Sequence, residues 1–254
     1  MNFESVRIRL DDNVCFIQLD RPQANNAINR QLIEECHRAL DELQGAAVVV
    51  VLEGLPHVFC FGADLRELSA GGAYEKSSPP DLAALYDLWL RLASGPFVSV
   101  AHVRGRAIAG GIGFVAACDI VIADCTATFS LSEMQFGIIP SCASQFLIRR
   151  IGQQRARYMT LSTHPIDAKQ AFAWGLVDAL ETDSKPLLGR HLLRLSRLSK
   201  SAIRRYKDHV KITNDALWQN RDAALGASAE SFADAEVQSL IRGFVENSRH
   251  PWER

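Results

Sequence analysis

Two glycine-containing turns in this sequence lie where a strand-like segment runs into a helix-like segment. The first turn, Gly62–Asp64, follows the apolar residues Val58–Phe61, and the second, Ala109–Gly111, follows the strand-like segment Phe97–Val103. Glycine lets a ligand approach the backbone closely, and the first N–H groups of a helix have no intrahelical acceptor. Two such N–H groups that meet on one carbonyl oxygen would form an oxyanion hole, although neither turn is specific when it is considered singly.

The second turn belongs to the stretch Val103–Phe114, which does not have the pattern of a nucleotide-binding loop. Its glycines, Gly105, Gly110, Gly111 and Gly113, are not spaced as Gly-x-Gly-x-x-Gly, and no Lys-Ser or Lys-Thr pair follows them. A dinucleotide fingerprint and a phosphate loop are therefore both disfavoured. The stretch instead predicts a site for an anion that forms transiently during catalysis.

The best candidate for proton transfer is Glu133. It follows the predicted strand Ala127–Leu131 and precedes the turn Gly137–Pro140, so it lies at a strand end, where functional sites are commonly built. The sequence around it is equally compatible with a solvent-facing acid or a helix cap. Beside an oxyanion hole, a single carboxylate could act as both general base and general acid.

Other reactive side chains fit structural roles better. Ser141 and Cys142 follow a proline turn but lack the Gly-x-Ser-x-Gly pattern of a nucleophile elbow. Asp64 is expected to brace the first turn through backbone N–H groups. His57 and His102 lie near the two turns in sequence, and we expect structural roles for both.

Composition and charge are those of an ordinary globular chain. Of 254 residues, 48% are apolar and 22% are charged, and the formal net charge of −1 gives no reason to expect a nucleic acid partner. No apolar run reaches the roughly 18 residues of a membrane span, and the N-terminus lacks a signal-peptide pattern, so we expect a cytoplasmic location. The six dispersed cysteines predict buried thiols, and no metal site is expected.

Hydrophobic periodicity predicts a mixed α/β core. Val6–Leu10 and Val14–Leu19 alternate as a β-hairpin, and the Val-rich segment Ala46–Leu52 is typical of a strand that is covered on both faces. Residues Gln31–Gln44 have helical spacing, with Asn29 as a candidate N-cap. Strand, strand and helix segments then recur, and the strands are too short for a doubly wound sheet.

The chain becomes almost entirely helical after residue 144. The predicted helices are Gln145–Ile151, Gln153–Leu161, Ala168–Trp174, Lys185–Ser199, Lys200–Val210 and Asp222–Phe244. We therefore divide the chain into a core, residues 1–190, and a helical C-terminal region, residues 191–254. The Gly-, Ser- and Pro-rich segment Ser69–Pro80 is predicted to be a mobile loop.

The order of these motifs resembles the crotonase superfamily, also known as the enoyl-CoA hydratase/isomerase family. The segments that carry the resemblance are Arg21–Asn29, Phe59–Leu65, Gly105–Asp119, Phe129–Glu133, Gly137–Pro140 and Ala171–Asp178. The resemblance implies a crotonase-like spiral of strand-strand-helix turns, followed by a helical trimerisation region, in a homotrimer or a hexamer. It also implies that the N–H groups of Ala63 and Gly110 hold a thioester oxygen as it becomes an enolate. The acyl group would be carried on coenzyme A or on the phosphopantetheine of an acyl carrier protein, and no other cofactor is implied.

One position departs from the pattern of typical hydratases in this family, which carry two catalytic glutamates. The second aligns with Glu133, whereas the first aligns with Gly113. Within the superfamily, the chain most resembles the branch from polyketide β-branching cassettes, which dehydrates 3-hydroxy-3-methylglutaryl groups on acyl carrier protein to 3-methylglutaconyl groups. The segments that carry this finer resemblance are Phe61–Asp64, Tyr86–Trp89, Ser130–Glu133, Phe146–Gly152 and Pro251–Glu253. A decarboxylase of the next intermediate, a hydratase or isomerase of coenzyme A thioesters and a non-catalytic scaffold of the same fold are the alternatives.

A substrate with a distal carboxylate would need a cation or hydrogen-bond donors, for which Tyr86, Arg66 and Arg149 are candidates. Basic residues also recur in the C-terminal helices, at Arg190, Arg194, Arg197, Arg204, Arg205, Lys207 and Lys211. Such a cationic face could meet the phosphate of the pantetheine arm or an acidic carrier protein, and it could equally be a solvated surface.

Overall fold

The computed structural model describes residues 3–43, 45–70, 81–213, 216–248 and 250–252. Most of the segment that the sequence predicts as a mobile loop, residues 71–80, lies outside this description. Residues 69 and 70 of that segment form the end of a helix.

The strands of the described residues form two sheets. They are β1 Val6–Asp11, β2 Val14–Leu19, β3 Val49–Glu53, β4 Val58–Cys60, β5 Val98–Val103, β6 Arg106–Ile108, β7 Ile120–Asp124, β8 Thr128–Ser130, β9 Ile166–Asp167 and β10 Ala179–Glu181. The larger sheet has the order β1-β2-β3-β5-β7-β10, and the smaller one has the order β4-β6-β8-β9.

Helices surround these sheets and dominate the second half of the chain. They are α1 Arg30–Leu43, α2 Leu65–Ala70, α3 Leu82–Ser94, α4 Gly110–Ala117, α5 Ser141–Ile151, α6 Gln153–Ser162, α7 Ala168–Trp174, α8 Ser184–Leu195, α9 Lys200–Thr213, α10 Ala216–Gln219, α11 Arg221–Ala233 and α12 Ala235–Asn247. Short 3-10 helices cover Pro22–Ala24 and Glu133–Phe136. Asn29 caps α1 as predicted, because its Oδ1 accepts a hydrogen bond from the N–H of Leu32 at 3.0 Å.

The larger sheet is parallel except for the antiparallel hairpin of β1 and β2, which confirms the predicted hairpin. Successive residues of β3 point into different cores: Val50 packs with the helices of the spiral, whereas Val49 and Val51 pack with Leu187 of α8 and Ile203 of α9. Burial on both faces explains why this strand is almost uniformly valine.

The predicted repeat of strand, strand and helix is confirmed. Each unit places its first strand in the larger sheet and its second in the smaller sheet before a helix follows, in the series β3-β4-α2, β5-β6-α4 and β7-β8-α5. The sequence did not predict β6, because its three residues directly after Gly105 are too few to show an alternating pattern. Its pairing with β4 and β8 brings the ends of successive units to one edge of the smaller sheet.

Several predicted helix boundaries were wrong, among them the end of α8, which lies at Leu195 and not at Ser199. The helix predicted over Asp222–Phe244 is two helices, α11 and α12, because the Asp234 carboxylate accepts hydrogen bonds from the N–H groups of Glu236 at 2.8 Å and Val237 at 3.1 Å and thereby starts a new helix. Helix α5 begins at Ser141 rather than at residue 145. The new turn between α11 and α12 lets Phe232 and Val237 pack on Phe136.

The boundary drawn between residues 190 and 191 lies within α8. Later helices also pack on the core, since Ser141 of α5 donates to the carbonyl of Ala224 in α11 at 2.7 Å. No helix of the described residues has the length and apolar character needed to cross a membrane. Among the same residues, His, Cys, Asp and Glu side chains form no group of three or more that could bind a metal ion.

Candidate active site

The first turn leaves the N–H of Ala63 out of the backbone pairing around it. Gly62 has a φ of +84°, a conformation that glycine adopts without strain. Its carbonyl accepts from the N–H of Ile28 at 2.6 Å, and the carbonyl of Ile28 accepts from the N–H of Asp64 at 2.9 Å. The N–H groups of this bridge are those of Ile28 and Asp64, and the bridge does not use the N–H of Ala63, which lies between Gly62 and Asp64 in the chain.

Asp64 holds this turn, as the sequence predicted. One carboxylate oxygen accepts from the backbone N–H of Arg66 at 3.2 Å, and the other forms a buried ion pair with Arg21 at 3.0 Å. Arg21 and Asp64 are both about one-tenth exposed in their side chains, so little solvent screens the pair. The ion pair thus joins Arg21 to the first turn, although the two residues lie far apart in sequence.

The second turn starts α4 with a strained residue. Ala109 has a φ of +53°, unusual for a residue with a side chain, and its N–H donates to the carbonyl of Ser130 at 2.9 Å. Gly110 is the first residue of α4, so its N–H has no intrahelical acceptor and lies at the positive end of the helix dipole.

The structure brings the two turns into contact. A Cβ atom placed on Gly62 would lie 2.6 Å from the Cβ of Ala109 and 3.4 Å from the backbone nitrogen of Gly110. Only a glycine at position 62 therefore allows the second turn to approach this closely. This contact is what a two-donor oxyanion hole requires.

Glu133 lies against the same cavity as Ala63 and Gly110. The residue as a whole is half-buried, but its Oε2 is shielded from solvent and has no hydrogen-bond partner among the described residues. This desolvation raises the pKa of Glu133 from 4.5 to about 7, and the backbone N–H groups of Glu133 and Ser132 offset only part of the shift. A carboxyl group with this pKa can both accept and return a proton at neutral pH.

The cavity is small and mostly apolar. Its volume is about 120 Å³. Most of its walls come from large hydrophobic side chains, among them Phe61, Leu65, Leu85, Phe136, Ile138 and Phe232. Within the described part of the chain, no lysine or arginine lines it. An apolar wall with a few convergent polar groups is the usual form of a small-molecule site.

Trp89 occupies the space where Gly113 lacks a side chain. A Cβ atom on Gly113 would lie 2.3 Å from Cζ2, 2.5 Å from Cη2 and 2.6 Å from Cε2 of the Trp89 indole. Position 113, where the resemblance predicts that the first glutamate of typical hydratases is missing, is thus covered by an aromatic ring. The sequence predicted the absence of a carboxylate at position 113 but not the identity of the residue that fills the space.

We expect Gly113→Ala to destabilise the protein by about 1–3 kcal/mol, because its Cβ would overlap the indole of Trp89. The loss should be smaller in a Trp89→Phe background, because phenylalanine lacks the second ring. Urea unfolding of the four proteins measures both values. Gly189→Ala is the control, because position 189 is helical with open space around it and should tolerate alanine. An equal loss of stability from Gly113→Ala in the wild-type and Trp89→Phe backgrounds would contradict the contact between position 113 and the Trp89 indole.

The structure corrects two of the substrate-binding predictions. Tyr86 is fully buried, and its hydroxyl donates to the carbonyl of Leu217 at 2.7 Å, so it packs in the core and does not line the cavity. Arg149 donates to the carbonyls of Ala116 at 2.9 Å and Ala117 at 3.2 Å, where it satisfies the end of α4. Sequence periodicity could not distinguish these structural roles from ligand contacts.

The remaining predicted candidate, Arg66, is exposed in the first turn of α2 and is not among the residues that line the cavity. Its neighbour Leu65 does line the cavity, so the role of Arg66 stays a prediction. In the C-terminal region, Lys207 of α9 is buried and paired with Asp119 at 2.6 Å, so it does not contribute to a cationic surface. Arg194 of α8 and Arg197, in the turn after α8, are exposed.

Other reactive side chains have structural partners. His102 is buried between Glu53 at 2.6 Å and Ser184 at 2.7 Å. Cys142 lines the cavity, but burial raises the pKa of its thiol, which disfavours the nucleophilic thiolate. Five of the six cysteines are buried, as predicted, and Cys125 is exposed.

Known proteins resemble this chain along most or all of its length. The sequence profile of the enoyl-CoA hydratase/isomerase family matches residues 9–254. The bacillaene synthase dehydratase PksH of Bacillus subtilis (strain 168) is 46% identical over 254 residues, which cover 100% of this chain and 98% of that protein. The "Probable enoyl-CoA hydratase echA8" of Mycobacterium leprae (strain TN) is 33% identical over 215 residues, which cover 83% of this chain and 82% of that protein.

Solved structures agree with the sequence comparison. The crystal structure of a polyketide biosynthesis enoyl-CoA hydratase (pksH) from Bacillus subtilis superposes with a TM-score of 0.95 at 46% identity, and the match covers 98% of this chain and 100% of that one. An enoyl-CoA hydratase from Bacillus halodurans has the same fold at 24% identity, with a TM-score of 0.86 over 94% of this chain and 100% of that one.

Proposed function

The chain belongs to the enoyl-CoA hydratase/isomerase family, and from this premise we propose that it removes water from a 3-hydroxyacyl thioester in polyketide biosynthesis. The proposed substrate is a 3-hydroxy-3-methylglutaryl group on an acyl carrier protein, and the product is the 3-methylglutaconyl group. The likeness to a B. subtilis dehydratase along the entire chain supports dehydration, and membership of a family of hydratases and dehydratases makes the chain a hydro-lyase.

The observation that carries this proposal is the single carboxylate of the cavity. Adding water to an alkene in this family typically uses two glutamates, and here the place of the first is taken by the Trp89 ring beside Gly113. An indole cannot act as a base towards water. A tertiary β-hydroxyl leaves more readily than a primary one, so one acid is sufficient for the proposed substrate.

The reaction proceeds through an enolate. The N–H groups of Ala63 and Gly110 donate to the thioester oxygen, which lowers the free energy of the developing oxyanion. Glu133 removes the α-proton as a carboxylate. It then returns that proton to the β-oxygen as the C–O bond breaks, so that the alkene and water form and Glu133 is again ionised.

We expect kcat/KM for dehydration to rise with pH and to level off above about pH 7. Because burial raises the pKa of Glu133 to about 7, the carboxylate that must accept the α-proton becomes the major form only above that pH. A pH–rate profile between about pH 5 and pH 9 measures the dependence. A flat profile across neutral pH would show that another group is the base.

A substrate panel tests the proposed function. The conjugated thioester of the product absorbs in the ultraviolet, so initial rates are followed for 3-hydroxy-3-methylglutaryl groups on carrier protein and on coenzyme A, and for a straight-chain 3-hydroxyacyl coenzyme A. We expect the carrier-borne branched substrate to have the highest kcat/KM. A higher value for the straight-chain coenzyme A thioester would support an ordinary fatty-acyl hydratase, which is the alternative suggested by the name of the relative echA8.

We further propose that the carrier protein docks against the exposed cationic residues Arg194 and Arg197 and that the protein assembles as a homotrimer or a dimer of trimers. Leu193 of α8 and Leu198, in the turn that follows this helix, are also exposed and give the region apolar surface that the carrier protein could contact. Light scattering of the purified protein measures the assembly.

A further inference from the structure

Two buried polar atoms of opposite character lack hydrogen-bond partners among the described residues. One is Nε1 of Trp89, and the other is Oε2 of Glu133. Both residues line the cavity, which is otherwise largely apolar. A buried polar atom without a partner destabilises the fold, and native structures rarely tolerate it without a reason. A ligand in this cavity would therefore lie against two side chains that each have an unsatisfied polar atom.

The position of the Trp89 indole is fixed by its neighbours. Its rings meet those of Phe114 and Phe146 edge to face, with ring centroids 5.9 Å and 5.7 Å apart. Its Cε2 atom, to which Nε1 is bonded, faces Gly113, and its Cζ2 would lie 4.0 Å from a Cβ on Gly110. The indole therefore lies along the first turn of α4, near Gly110, the residue whose N–H is proposed to bind the thioester oxygen.

We propose that the indole N–H of Trp89 donates a hydrogen bond to the β-oxygen of the substrate, the atom that leaves as water. This inference rests on the proposed function. Since indole is a donor only, it can stabilise the charge that develops on the departing oxygen but can neither take a proton from water nor replace the missing carboxylate as a base. The proton that completes the water comes from Glu133. Trp89 thus makes the cavity selective for acyl groups that carry a β-hydroxyl.

Indole NMR signals test the contact directly. The chain has 4 tryptophans, so protein labelled with nitrogen-15 in its indoles gives few side-chain signals, and the Trp89 signal is the one missing from Trp89→Phe. The Glu133→Gln variant is used to prevent turnover. Its ligands are carrier-protein thioesters of 3-hydroxy-3-methylglutarate, of 3-hydroxy-3-methylbutyrate, which lacks the distal carboxylate, and of 3-methylglutarate, which lacks the hydroxyl.

We expect the Trp89 N–H proton signal to move downfield with both ligands that carry the hydroxyl and to stay in place with 3-methylglutaryl thioester. A shift that instead follows the distal carboxylate, or the same response to all three ligands, would overturn the proposal. Calorimetry on the same samples reports binding. Failure of all three ligands to bind would refute the proposed function and this inference together, whereas binding without the expected pattern would refute this inference alone.

A matched kinetic test removes only the N–H group. Replacing Trp89 by 3-benzothienylalanine, in which sulfur takes the place of the indole nitrogen, keeps the shape of the side chain. We expect kcat/KM to fall roughly 10- to 100-fold, as for a lost hydrogen bond that leaves its partner unsatisfied, with an unchanged melting temperature. The same replacement at Trp174, which packs on Tyr158 and does not line the cavity, is the control. Full activity of the Trp89 isostere, with normal turnover by the unmodified protein, would overturn the role of the N–H.

Discussion

Glu133→Gln is expected to lower kcat for dehydration by roughly 10²–10⁴-fold, the range that general acid–base groups contribute. Glutamine keeps the shape of the side chain but cannot accept the α-proton. Among the described residues that line the cavity, Glu133 is the only one with a carboxylate, so no other side chain there can take over this role. Steady-state kinetics on the proposed substrate measures the loss.

The control for this variant is Glu34→Gln, which changes an exposed glutamate that pairs with Arg30 on the surface of α1. It should leave kcat unchanged. Near-normal turnover by Glu133→Gln would remove Glu133 from the mechanism.

The same variant should be more stable than the wild type at alkaline pH. The pKa of Glu133 is raised in the folded protein from 4.5 to about 7, so ionisation favours the unfolded state. The stability that the neutral carboxyl provides is therefore present below about pH 4.5 and is lost as the pH rises through 7, by on the order of 3 kcal/mol. In urea unfolding, Glu133→Gln should have a higher free energy of unfolding than the wild type at pH 8 but not at pH 5. Equal free energies of the two proteins at pH 8 would contradict the desolvation of the Glu133 carboxyl.

Gly62→Ala is expected to lower kcat by roughly 10²–10³-fold, comparable to the loss of an oxyanion-hole donor. The new Cβ would lie 2.6 Å from the Cβ of Ala109, so the two turns must separate and the N–H groups of Ala63 and Gly110 can no longer meet on one oxygen. KM should change less than kcat, because the negative charge on the thioester oxygen is greater in the transition state than in the bound substrate.

Gly175→Ala is the matched control for this prediction. Its φ of +82° is close to the +84° of Gly62, but nothing lies within 4 Å of the added Cβ. Both variants should lose about 1–3 kcal/mol of stability from backbone strain, and Gly62→Ala should lose more than Gly175→Ala, because its Cβ also overlaps that of Ala109. Only Gly62→Ala should lose activity. A parallel loss of activity in both would show that strain, and not the separation of the turns, is responsible.

Local patterns in the sequence were sufficient to predict much of the fold. Valine-rich β3, the hairpin of β1 and β2 and the Asn29 cap of α1 all follow from short-range spacing, and the structure confirms them. Strand β6 and the break at Asp234 were missed, because three residues show no periodicity and one N-cap within a continuous apolar pattern does not interrupt it.

The candidate site was predicted in its parts but not in its contacts. The two turns and Glu133 are local features, and their types already suggested the chemistry. The approach of Gly62 to Ala109 and the packing of Trp89 on Gly113 join residues distant in sequence, and no spacing rule predicts them. For the same reason, the buried hydrogen bond of Tyr86 could not be separated beforehand from a substrate contact.

The intact mass of a carrier protein loaded with a 3-hydroxy-3-methylglutaryl group, measured before and after incubation with this protein, tests the central claim most directly. A single-carboxylate dehydratase predicts that the mass falls by one water, and that it does not fall when the Glu133→Gln variant is used. An unchanged mass with the wild-type protein, or a loss of carbon dioxide, would contradict the proposed reaction.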